Sequence, residues 1–92
     1  MQVATVKLLH SVLVMRILFF GQLKTITGSP AAELPFASGN AAELWQQLIA
    51  LHPDLAKMRP QVRIAQNGEF AGSAARFTDT DEIALIPPVS GG

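Results

Sequence analysis

The amino-acid sequence predicts an α+β fold, a small roll in which one main helix packs on a mixed sheet of four or five short strands. Three observations carry this expectation. Asn40 to Leu51 (NAAELWQQLIAL) repeats apolar residues at helical spacing behind a capping signature. Arg16 to Phe20 (RILFF) and Glu82 to Ile86 (EIALI) alternate with the period of two that marks strands. Between them, Asn67-Gly68 is the strongest short signal for a two-residue hairpin turn.

Composition narrows the functional classes. A chain of 92 residues is one small domain, able to bury about 60% of the surface its unfolded form exposes. Half of it is apolar (49%) and only 15% is charged, which suits a compact domain and argues against disorder. Seven basic and seven acidic residues cancel without forming a basic cluster, so a nucleic-acid surface is not expected. The absence of cysteine excludes disulfides, thiolate metal sites and a thiol nucleophile in the chain. His10 and His52 stand far apart without carboxylates at ligand spacing; no metal site is expected, and His52, just before Pro53, reads as a residue at a helix end.

Taken in order, residues 1–14 (MQVATVKLLHSVLV) form an extension of uncertain role. The stretch lacks the basic start and small-x-small cleavage site of an export signal and is too short to cross a bilayer. Met15, directly before the first strong strand, suggests either a start assigned too far upstream or a natural, dispensable extension. The domain proper is expected over residues 15–86. In Arg16–Phe20, Ile17 and Phe19 share one face, Leu18 and Phe20 the other, and the second apolar face is read as looking out at a partner. Gly21 to Gly28 holds Leu23 and Ile26 at helical spacing and predicts a short helical turn stopped by Gly28. Ala31 to Phe36 is expected as a short edge strand ended near Pro35.

In the main helix Asn40 is the N-cap and Glu43 its capping-box partner. Ala41, Leu44, Leu48 and Leu51, widened by Trp45 and Ile49, form the predicted core stripe, with Trp45 assigned to packing. Pro53 ends the helix, and Asp54–Met58 adds another turn before Pro60. Val62 to Gln66 turns its Val62 and Ile64 inward and its Arg63 and Ala65 outward, and Glu69–Ala71, carrying Phe70, returns beside it. Ala74 to Asp81 is read as a polar loop, with Asp79, Asp81 and Glu82 as a solvated turn before the last strand.

After that strand comes a tail, residues 87–92 (PPVSGG), expected to be flexible at its tip. Two glycines followed by a carboxylate can enter a slot too narrow for any side chain. On average glycine usage such an ending arises by chance in about one protein in two hundred. Its weight therefore comes from what precedes it.

A helix on a mixed sheet in so small a chain matches the ubiquitin-like β-grasp architecture. From Met15 onward the sequence resembles the small, sulfur-carrying subunit of molybdopterin synthase, in RILFFGQLK, in NAAELWQQL, around Asn67, and above all in DEIALIPPVSGG. The resemblance implies that the chain is not catalytic alone. An activating enzyme of the ubiquitin-activating type uses ATP and magnesium to adenylate the carboxylate of Gly92; sulfur then displaces the adenylate to give a thiocarboxylate. That group enters the active site of the large synthase subunit, in a heterotetramer, and gives its sulfur to cyclic pyranopterin monophosphate during molybdenum cofactor biosynthesis. Gly91 lets the tail thread, Pro87 and Pro88 stiffen its base, and Val89 and Ser90 complete the segment held by the partner. Phe20, Phe70 and Ile86 match the family's apolar contact patch, and Lys24 matches a basic position beside it. The resemblance further implies a cytoplasmic protein with no permanently bound cofactor, no nucleic acid and no membrane. Asn67-Gly68-Glu69 also suits the related sulfur carrier of thiamine biosynthesis. A ubiquitin-like protein modifier and a plain interaction domain stand as further alternatives.

Overall fold

The computed structural model describes residues 14–88; the tail positions Val89, Ser90, Gly91 and Gly92, and residues 1–13 of the extension, lie outside the described residues. The architecture is the α+β roll expected. Strand β1 (Val14–Phe19) leads through helix α1 (Gln22–Thr27) to β2 (Ala31–Pro35) and β3 (Ser38–Asn40). The main helix α2 (Ala41–Leu51) follows, then two short 3-10 turns (Pro53–Lys57 and Arg59–Gln61), the hairpin β4 (Arg63–Gln66) and β5 (Glu69–Phe70), β6 (Arg76–Thr78) and β7 (Glu82–Ile86). Five strands form one mixed sheet in the order β2-β1-β7-β4-β5, and β3 pairs with β6 in a separate ribbon. The β1–β7 pair at the centre is parallel and the other pairs are antiparallel.

One face of the sheet makes the core. Met15, Ile17 and Phe19 of β1 and Ile83 and Leu85 of β7 are buried against Leu44, Trp45 and Leu48 of α2, with Leu23, Leu34, Leu55 and Phe77 closing the sides. Alternation along β1 and β7 dictates this: every second residue is apolar and points the same way. α2 is launched by the predicted capping box. The Asn40 carboxamide accepts the backbone N–H of Glu43 at 2.9 Å, and the Glu43 carboxylate accepts that of Asn40 at 2.9 Å. The β4–β5 turn is the two-residue form expected, since Asn67 (φ 52°) and Gly68 (φ 87°) both adopt positive φ.

Four expectations are corrected. β1 begins at Val14, paired with Pro35, so the first strand reaches back into the stretch assigned to the extension; Phe20 lies just beyond its other end. The Ala74–Asp81 segment is not simply a polar loop: it contains β6, whose fully buried Phe77 fills the core between two exposed neighbours. Leu51 is not core but 47% exposed, because the last turn of α2 arrives at edge strand β2, where Leu51 shares a shallow hollow with Leu34, Pro35 and Gln47. Finally, Asp81 is a structural node rather than a solvated turn residue. Its carboxylate accepts the Thr78 N–H (2.8 Å) and the side-chain amides of Asn67 and Gln66 (2.9 Å each). Trp45 packs in the core as expected, and His52 caps α2 through its backbone while its ring meets Phe19 edge-on.

Candidate functional site: the open sheet face and the base of the tail

The sheet has helix on one side only, and strand register determines what its other side displays. Residues level with one another across the five strands run Ala31, Leu18, Ala84, Ala65, Phe70. On one side of this apolar row lies a charged one, Glu33, Arg16 and Glu82. On the other side Arg63 stands opposite Ile86. Phe20, one step past the last registered pair Phe19–Leu85, comes level with Ile86. The outer face is therefore charged at one end and largely apolar at the other.

The apolar end is the one from which the tail departs. Because β1 and β7 run parallel, both strands finish at the same edge, so Pro87 leaves β7 where Phe20 and Gly21 leave β1. The contact is close: a Cβ placed on Gly21 would lie 3.0 Å from Cγ of Pro87. Gly21 also holds φ 55° with ψ −135°, a combination that glycine enters readily and other residues do not. The turn into α1 thus supports the base of the tail, with Pro87 half-buried against it and Pro88 exposed.

Of the residues singled out in the sequence, Phe20, Phe70 and Ile86 come together on this face. Phe20 is 45% and Phe70 55% exposed, the largest exposures among the phenylalanines, and Ile86 is half-buried. Lys24 is exposed on α1, one helical turn after Gly21. Two features escaped the sequence reading. Alternation placed Arg63 outward but could not show that its guanidinium lies 3.7 Å from the centroid of the Phe70 ring. Nor could it show Gly21 beneath Pro87, a contact between residues 66 positions apart. Among the described residues no group of three His, Cys, Asp or Glu side chains is placed to hold a metal ion, and no helix is long and apolar enough to cross a membrane.

Comparison with known proteins agrees with this architecture. The chain is 33% identical over 78 residues to a molybdopterin synthase sulfur carrier subunit of Arabidopsis thaliana, covering 84% of this chain and 81% of that one. It is 32% identical over 80 residues to the Homo sapiens protein of the same name, covering 83% and 91%. In three dimensions it matches the crystal structure of SAMP1 from Haloferax volcanii with a TM-score of 0.74 at 26% identity, over 86% of this chain and 99% of that one. The ThiS family model spans residues 17–92, from the middle of β1 through the Gly-Gly tail. On fold and on sequence, the chain belongs to the ThiS family, in the ubiquitin-like β-grasp group that holds the molybdopterin synthase small subunits.

Proposed function

We propose that this chain is the sulfur-carrier subunit of a molybdopterin synthase and that its reactive group is the carboxylate of Gly92. The observation that carries the reading is the junction at the end of β7: the base of the tail sits on Gly21 beside the exposed apolar end of the sheet. The likeness to sulfur carrier subunits over more than four fifths of the chain supports it.

A free carboxylate resists nucleophiles because of its negative charge, so it must first acquire a leaving group. In the proposed sequence a carboxylate oxygen of Gly92 attacks the α-phosphorus of ATP on an adenylating enzyme with magnesium, expelling pyrophosphate and forming an acyl-adenylate. Sulfide (HS⁻) supplied to that enzyme then attacks the acyl carbon and displaces AMP, leaving a thiocarboxylate on Gly92. This chain supplies the acyl group and the means of presenting it. Gly91 and Gly92 keep the tip narrow, and Val89 and Ser90 reach into the partner. Pro87 and Pro88 reduce the backbone freedom lost on insertion, which amounts to about 1–2 kcal/mol for each residue ordered. Phe20, Phe70 and Ile86, with Lys24 at the margin, dock on the large synthase subunit, two copies of each chain making a heterotetramer. There the sulfur passes to cyclic pyranopterin monophosphate, and water takes its place on the acyl carbon, restoring the Gly92 carboxylate. These steps are proposed to take place in the cytoplasm.

Intact-mass analysis tests the chemistry. Protein produced with its adenylating enzyme, ATP, magnesium and a sulfur donor is expected to show one oxygen replaced by sulfur, located at Gly92 by fragmentation. An unchanged mass overturns the reading, and covalent adducts to lysines of other proteins would point to a modifier instead.

A further inference from the structure

Among the described residues, the apolar end of the outer sheet face contains one cation. Arg63 is exposed and stands opposite Ile86 across β4 and β7. Its guanidinium carbon lies 3.7 Å from the centroid of Phe70, whose ring is itself more than half exposed. At that stacking distance the ring's negative face meets the positive charge, but it satisfies none of the five N–H donors that the guanidinium carries around its edge. The outer-face neighbours that register gives Arg63 are Ala65, Ala84, Ile86 and Phe70, none of which has a carboxylate. Along the same face the acidic residue of β7, Glu82, is at the far end of the strand, level with Arg16. Among the described residues no side-chain or backbone acceptor hydrogen-bonds those donors.

Docking changes this balance. A partner that covers Phe70 also covers the guanidinium stacked on its ring, and removing water from an ion is unfavourable unless a counter-charge or hydrogen-bond acceptor replaces it. The aromatic ring already holds the guanidinium in place, so little side-chain freedom is left to lose when an acceptor arrives. Planar guanidinium and carboxylate groups pair through two parallel hydrogen bonds. We infer that the docking surface of the large subunit presents a carboxylate to Arg63, set within an otherwise apolar contact, and that this pair selects the cognate partner. The inference rests on the sulfur-carrier reading for the identity of the partner and adds the chemistry of its surface.

The test is a calorimetric titration of the full chain with the large synthase subunit of the same organism. It compares wild type with Arg63→Lys, which keeps the charge, and Arg63→Met, which removes it while keeping an unbranched side chain over Phe70. Arg63 is exposed and lies on the non-core face, so both variants are expected to fold, as checked by circular dichroism. The expected order of affinity is wild type, then Lys, then Met, with Met weaker than wild type by about tenfold or more, because the partner's carboxylate is left without its cation. A Met variant that binds within tenfold of wild type, or as tightly as the Lys variant, overturns the inference. Phe20→Asp separates this from the broader reading. If it abolishes binding while Arg63→Met does not weaken it, only the carboxylate is refuted. If Phe20→Asp binds normally the patch itself is wrong, and a wild-type chain that does not bind the large subunit overturns both.

Discussion

The Asp81 carboxylate joins three pieces of chain that the sequence keeps apart. It accepts the Thr78 N–H at the end of β6 and the amides of Gln66 and Asn67 at the β4–β5 turn, while Asn67 in turn accepts the Glu82 N–H at the start of β7. The Thr78 N–H, followed by the amides of Asn67 and Gln66, stabilises the ionised form and holds the Asp81 carboxyl below the usual carboxylate range. A pKa depressed on folding contributes stability that is fully present above the unfolded value and is lost as pH falls through the folded one. Stability is therefore expected to decline below about pH 3.9, the ordinary carboxylate value, with Asp81 contributing to the decline. Asp81→Ala should lower stability at neutral pH by about 1–2 kcal/mol, the net worth of a few part-exposed hydrogen bonds to a charged group, and should flatten the acid limb. Urea unfolding at a series of pH values measures both, and a variant with wild-type stability and an unchanged acid limb would show that the node is decorative. The sequence displays Asp79, Asp81 and Glu82 as an undifferentiated acidic run. Which of them is structural depends on the jump of 15 and 14 residues back to Gln66 and Asn67, and no local pattern encodes that jump.

Elements were legible in proportion to how local their signals are. α2 was readable because its cap, its capping-box partner and its apolar stripe all fall within twelve consecutive residues. β1 and β7 were readable because alternate residues in each are apolar, and the hairpin because Asn-Gly specifies a turn with positive φ at both positions. β3 and β6 were not. Each has three residues, Ser-Gly-Asn is depleted in strand formers, and the two pair only because α2 and the hairpin bring Gly39 level with Phe77. Sheet order and register were equally invisible, yet they are what gather Phe20, Phe70, Ile86 and Arg63 at one end of one face. The clearest element-scale prediction concerns the cap. Replacing Asn40 by alanine removes the acceptor for the Glu43 N–H and should destabilise the domain by about 1 kcal/mol. For a domain of this size that lowers Tm by roughly 4–8 °C. A thermal scan with no measurable shift would mean that packing alone sets the start of α2.

At the scale of the whole molecule, the sheet divides its labour between two faces. The inner face, with Leu85, Ile17 and Ile83 fully buried, holds the fold together. A 92-residue domain has only about 5–15 kcal/mol of net stability. The outer face contributes little to that balance at its apolar end, where Phe20 is 45% exposed, and an exposed apolar patch of this kind is what the proposed docking on a partner would use. The two roles separate experimentally. Leu85→Ala removes a buried side chain and should cost about 2–5 kcal/mol, enough to populate unfolded chains near physiological temperature. Phe20→Asp should cost less than about 1 kcal/mol, as is usual for exposed positions, yet weaken association with the large synthase subunit by about a hundredfold, since it sets a carboxylate into an apolar contact beside the base of the tail. Thermal unfolding and calorimetric titration of the same samples read the two effects independently. Comparable losses of stability in both variants would mean that Phe20 belongs to the core; normal binding by a folded Phe20→Asp protein would move the docking surface elsewhere. If, as proposed, adenylation acts on the tip of the tail, Phe20→Asp should lose sulfur transfer within the synthase while an adenylating enzyme still converts Gly92 to a thiocarboxylate.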